Sequence, residues 1–70
     1  MEDYITVYIN GEPFNCESDM SLKSLLLYLE FNLKATIVEY NSKIVELSQY
    51  SNIFLHTNDS IEIITIVGGG

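Results

Sequence analysis

The dipeptide Asn10-Gly11 constrains this chain more than any other feature, because apolar residues alternate in the stretch before it and continue the same register after it. A type I′ turn needs positive φ at both central positions, and Asn-Gly supplies that at the least steric cost. Upstream, Ile5, Val7 and Ile9 alternate with Tyr4, Thr6 and Tyr8, the two-residue period of a strand with one buried face. A two-residue loop then sets Ile9 opposite Glu12, Val7 opposite Phe14 and Ile5 opposite Cys16, so Phe14 and Cys16 join the buried face. Pro13 removes one ladder donor, which an edge strand tolerates.

The period changes over 21–31. Leu22, Leu25, Leu26 and Leu29 fall at i, i+3, i+4 and i+7, the stripe of an amphipathic helix. Ser21 is the expected N-cap, Asp19 adds negative charge near the positive end of the helix dipole, and Asn32 is the expected left-handed terminator before Leu33. Thr36–Tyr40 reads as a third strand with Val38 and Tyr40 inward. Asn41-Ser42-Lys43 then turns it into a short return strand at Ile44 and Val45. The polar stretch 46–52 reads as a turn or short helical piece anchored by Leu47 or Tyr50, and Ile53 with Leu55 as a further short strand. After the turn cluster Thr57-Asn58-Asp59-Ser60, positions 61–67 form a strong final strand, and Gly68-Gly69-Gly70 follows.

A hairpin, one crossover helix, and a last strand placed parallel beside the first make an α+β arrangement of the ubiquitin-like β-grasp type. It has a mixed four- to five-stranded sheet with one main helix packed on one face. The expected division is a domain over 1–67 and a flexible glycine tail over 68–70. At 70 residues the chain buries only about 60% of its unfolded surface, which argues against a deep private cleft. A formal net charge of −7 repels nucleic-acid phosphates and anionic lipid, so neither nucleic acid nor membrane is an expected partner. The single Cys16 excludes an internal disulfide and points to a reducing compartment, cytoplasmic, or organellar stroma if the gene is organellar.

Side-chain catalysis finds little material. One histidine, His56, and one cysteine, Cys16, give no metal-ligand cluster. His56 reads as exposed near a strand end, Cys16 as a small buried hydrophobe, and Glu17, Glu30, Glu39 and Glu46 as solvated surface. A phosphate loop needs a helix, a Lys and a hydroxyl after its glycines, and nothing follows Gly70. The special group of a terminal triglycine is its α-carboxylate, carried on a slim tail that enters a narrow channel. A frayed end is the plain alternative.

On the sheet, Ile64 and Ile66 are expected to point away from the helix and to join Tyr4, Thr6 and Tyr8 on an open face suited to a protein partner. A homodimer contact, lysine side chains or the segment after Val45 are the other covers considered for that face.

The chain resembles the ThiS family, the sulfur carrier proteins of thiamine biosynthesis. The resemblance runs over nearly the whole length: Ile9-Asn10-Gly11, the leucine helix over 22–29, Tyr40-Asn41 to Ile44-Val45, and Asp59-Ser60-Ile61-Glu62-Ile63-Ile64 leading to Val67-Gly68-Gly69-Gly70. It implies a carrier that is acted on by partner enzymes rather than an enzyme. A ThiF-like partner would use ATP and Mg to adenylate the Gly70 carboxylate. Sulfur from a donor such as a cysteine desulfurase would convert it to a thiocarboxylate, and a ThiG-like thiazole synthase would take the sulfur. By the same resemblance Gly70 reacts, Gly68 and Gly69 give clearance, Tyr4, Tyr8, Ile64 and Ile66 dock partners, and no cofactor or metal is bound. The small subunit of molybdopterin synthase is similar in fold and terminus, but its prolines before the tail are missing from Thr65-Ile66-Val67. A ubiquitin-like binding module or protein tag is the alternative from another class.

Overall fold

Asn10 at φ 51° and Gly11 at φ 85° close the turn that the dipeptide foretells. The computed structural model describes residues 3–66. Strand β1 (Tyr4–Ile9) pairs antiparallel with β2 (Glu12–Glu17), and Ile9, Val7 and Ile5 stand opposite Glu12, Phe14 and Cys16 as expected. Helix α1 (Leu22–Tyr28) follows, then β3 (Thr36–Tyr40), β4 (Lys43–Val45) and β5 (Ser60–Thr65), with 3₁₀ segments at Leu33–Ala35 and Leu47–Asn52. The five strands form one sheet in the order β2-β1-β5-β3-β4, with β5 parallel to β1 and antiparallel to β3. This is the β-grasp arrangement that the pattern of periods implied. Pro13 sits on edge strand β2, where a missing donor costs no ladder bond within the sheet.

One face of the sheet meets α1. Val7, Leu22, Leu25, Leu26, Val38 and Ile61 are fully buried there, with Tyr50 and Leu55 nearly so. Each such side chain contributes roughly 1.5–3 kcal/mol on leaving water. Ser21 caps α1 as expected, its hydroxyl accepting from the Ser24 N–H at 3.1 Å. The other end differs from expectation. Glu30, at φ 66°, takes the left-handed position, with Phe31 N–H donating to the Leu26 carbonyl and Glu30 N–H to the Leu27 carbonyl. That pair of bonds is a Schellman motif with Glu30 at C′. Asn32 instead caps the short segment after it, accepting from Lys34 N–H.

The link between β4 and β5 lies on the helix side. Tyr50 anchors it in the core, Leu22 N–H donates to the Ile53 carbonyl at 2.7 Å, and Leu55 N–H to the Met20 carbonyl at 3.0 Å. The strand expected at Ile53 and Leu55 is therefore only a single bridge between Ser21 and Phe54. Leu47, the other expected anchor, is largely exposed, so Tyr50 alone fills that role.

Two turn asparagines hold β5 from opposite sides. The Asn10 side chain accepts from Ile63 N–H at 2.7 Å and donates to its carbonyl at 3.3 Å, prolonging the β1–β5 pairing beyond Ile9. Asn41 at φ 50° accepts from Ser60 N–H through its side chain and donates to the Ser60 carbonyl through its backbone, both at 2.8 Å. The strand that leads to the glycines is thus the centre of the sheet, paired on both flanks and held by one turn asparagine on each side.

Candidate functional site

The site begins where β5 ends. After Thr65, Ile66 N–H still bonds the Ala35 carbonyl at 2.8 Å, so backbone pairing continues one residue past the strand. Val67, Gly68, Gly69 and Gly70, on which the expected tail chemistry falls, lie outside the described residues.

The face opposite the helix carries the expected docking residues, and the register divides them. Ile64 and Ile66 are 53% and 55% exposed, and Tyr4 is 64% exposed. Tyr8 is level with Ser60 in the parallel β1–β5 pair. Tyr4 therefore lies four residues below that level and Ile64 four above it, a separation of about 26 Å along the strands. The single patch expected from Tyr4, Tyr8, Ile64 and Ile66 does not exist. The residues share a face, but a parallel partner that starts level with Tyr8 carries its isoleucines away from Tyr4.

The neighbours of Ile64 come instead from the other side of β5. Ile37 is its direct cross-strand partner, and Ile44 on β4 stands opposite Glu39, which in turn faces Glu62. Ile37 and Ile44 are both exposed, so an isoleucine patch of 37, 44, 64 and 66 flanked by Glu39 and Glu62 forms near the exit of β5. Like charges directly opposite each other are mildly destabilising, a cost that a basic partner surface would relieve. Sequence reading missed Ile37 and Ile44. The signal was present: with Val38 inward, Ile37 must point outward, and a two-residue turn at Asn41-Ser42 sets Glu39 opposite Ile44.

Side chains with intrinsic chemistry are held in structural roles. Cys16 is 4% exposed, and burial first, then the charges of Asp59 and Glu17, push its thiol up, which reduces the thiolate that a nucleophile needs. His56 is exposed, and its backbone N–H donates to buried Asp59 at 2.8 Å. Asp59 also accepts from the Tyr40 hydroxyl and from Asn41 Nδ2. The Tyr40 phenol is pushed up to about 12 by burial, then by that hydrogen bond and the Asp59 charge. Among the described residues no three His, Cys, Asp or Glu side chains are grouped to hold a metal ion. No helix among them is long and apolar enough to cross a membrane.

Residues 7–70 match the ThiS family, a span that takes in the helix, the sheet and the glycines. The chain belongs to the ThiS family. Among relatives of this ThiS-family chain, an uncharacterized protein ycf40 of Porphyra purpurea is 46% identical over 94% of this chain and 93% of its own length. The sulfur carrier protein ThiS of Bacillus subtilis is 33% identical over 89% of this chain and 96% of its own. A thiazole synthase of Magnetococcus marinus is 36% identical over 91% of this chain, which there accounts for 20% of the longer protein. The crystal structure of a thiamine biosynthesis protein, ThiS, from Geobacter metallireducens superposes with a TM-score of 0.80 at 22% identity, covering 94% of this chain and all of that one, and shares its fold.

Proposed function

We propose that this ThiS-family chain is a sulfur carrier for thiazole formation, with the Gly70 carboxylate as its reacting group. The observation that carries this reading is the family match, which spans residues 7–70 and so includes Gly70. The Bacillus relative bears the name of a sulfur carrier, and thiazole synthases contain a stretch similar to nearly all of this chain. A stretch similar to this chain inside proteins named thiazole synthase supports the assignment of a thiazole synthase as acceptor.

The chemistry follows from the inertness of a carboxylate. Gly70 attacks the α-phosphate of ATP on a ThiF-like enzyme, where Mg offsets the phosphate charge, and pyrophosphate leaves. The acyl adenylate has a good leaving group. The terminal sulfur of a persulfide, supplied by a donor such as a cysteine desulfurase, displaces AMP, and cleavage of the S–S bond by a second thiol leaves a thiocarboxylate. That group passes its sulfur to the thiazole precursor. ATP and Mg belong to the activating partner, so the carrier itself is a co-substrate acted on by enzymes rather than an enzyme. The setting is cytoplasmic, or the stroma of an organelle that encodes the chain.

In this reading the scaffold has two tasks. It presents the tail from the central strand, and it offers Ile37, Ile44, Ile64 and Ile66 with Glu39 and Glu62 to a partner surface that is apolar with a basic rim. Intact mass spectrometry after incubation with ATP, Mg, a ThiF-like enzyme and a persulfide donor tests it. The expected product gains the mass difference between sulfur and oxygen at the last residue. A chain that forms no adenylate and takes up no sulfur under conditions that load the Bacillus carrier refutes the reading.

A further inference from the structure

The end of the sheet remote from the exit of β5 holds a cavity of about 290 Å³ between edge strand β2 and helix α1. Tyr4, Phe14, Cys16, Glu17, Met20 and Tyr28 line it, and the rings of Phe14 and Tyr28 lie 6.4 Å apart at a tilt of 56°. The two rings of Phe14 and Tyr28 with the Met20 thioether suit a flat apolar body, while Tyr4 borders the hollow from the open-face side of the strand edge. The volume falls at the small end of ligand pockets. Tyr4 and Glu17 also line a second hollow, of about 400 Å³, with Asp3, Ser18 and Asp19. A solvent-open apolar and aromatic hollow thus adjoins a shallower one bearing three carboxylates.

This arrangement discriminates by charge. An anion meets Asp3, Glu17 and Asp19 on a chain of formal net charge −7, whereas a cation is drawn by them and by the faces of tyrosine and phenylalanine rings. The Glu17 carboxylate acts on the floor of the cavity: after burial and Asp59, it is the third influence that raises the Cys16 thiol.

We propose that this two-chambered hollow binds a small organic cation carrying an aromatic body, the ring between β2 and α1 and the charged nitrogen among Asp3, Glu17 and Asp19. Cys16 stands opposite Ile5, three residues below the Tyr8–Ser60 level, and Thr65 is five above it. The ligand thus sits about 26 Å along the strands from the exit of β5. Occupancy leaves the isoleucine patch and the exit of β5 uncovered, so the inference stands apart from sulfur transfer.

The test is a titration of ¹⁵N-labelled chain at pH 7 with phenethylammonium, alongside 2-phenylethanol and 3-phenylpropanoate, which keep the ring and change the charge. The expected result is saturable shifts of the Cys16, Glu17, Met20 and Tyr28 amides with the cation, about tenfold weaker binding of the alcohol, and no saturable binding of the anion. Glu17→Gln and Tyr28→Ala, both at exposed side chains, should each lower affinity at least about threefold with amide dispersion unchanged. Three results overturn the proposal: shifts that do not saturate or fall equally on Glu39 and Glu62, equal affinity for the alcohol or the anion, or unchanged affinity in both variants.

Discussion

Replacing Asp59 by Asn should destabilise the fold by about 2–3 kcal/mol, and the bonding around it says why. The carboxylate is 8% exposed and accepts three bonds: Tyr40 hydroxyl and His56 N–H on Oδ2, and Asn41 Nδ2 on Oδ1 at 3.1 Å. An asparagine can keep its one oxygen toward Tyr40 and His56, but its amide nitrogen then meets the Asn41 amide nitrogen, donor against donor. Asn41 cannot turn over to compensate, because its own oxygen accepts from Ser60 N–H. One charge-assisted bond is lost and a buried donor is left without an acceptor. For a domain of this size the loss lowers Tm by about 10–20 °C. Urea unfolding followed by circular dichroism measures the first effect. The second readout is the Tyr40 titration, followed by ¹³C NMR of its ring: from about 12 it should fall part of the way toward the ordinary value near 10, since the share due to burial stays. In the native chain that raised value stabilises the fold fully below about pH 10, and the contribution, roughly 1–2 kcal/mol after solvent screening, is lost as pH rises through about 12. A variant within about 0.5 kcal/mol of the parent whose Tyr40 still titrates near 12 would refute the reasoning.

Glu30→Gly should stabilise by about 1 kcal/mol, because a glycine at φ 66° relieves left-handed strain and the change removes a negative charge from the negative end of α1; a loss in urea midpoint would contradict the Schellman assignment. Leu25→Ala opens the fully buried centre of α1 and should cost about 2–5 kcal/mol, read from the same unfolding curves. Ile64→Asp, at a half-exposed position, should change stability little yet weaken binding to the activating enzyme at least about tenfold by calorimetry, whereas Tyr4→Ala should leave that affinity within about twofold. Equal losses from both would restore the undivided patch that the strand register argues against.

The parts legible from the sequence were those set by period and turn chemistry. The β1–β2 register followed from Asn10-Gly11 alone, and the buried stripe of α1 from the spacing of Leu22, Leu25 and Leu26. The end of α1 was misread because Asn32 is the better left-handed residue in isolation, while the competing capture of Phe31 N–H by Leu26 placed that strain on Glu30. Ile53 and Leu55 gave no strand because the one bridge between them, among the described residues, pairs Phe54 with Ser21, which caps a helix. The open face of the sheet was read correctly for sidedness and wrongly for neighbourhood. Alternation tells which side of a sheet a residue occupies, but the stagger between parallel strands separated by some fifty positions depends on long-range pairing. Here that pairing is fixed partly by Asn10, whose amide reaches Ile63.

The central place of β5 has a mechanical consequence. Hydrogen bonds to β1 on one flank and β3 on the other run across the direction in which a pull on its far end would act. Such a tug loads both ladders in shear, so the bonds on two flanks resist together, whereas an edge strand would have only one ladder to hold it. Under the proposed function, an enzyme that draws on the residues beyond β5 would leave the body behind them closed.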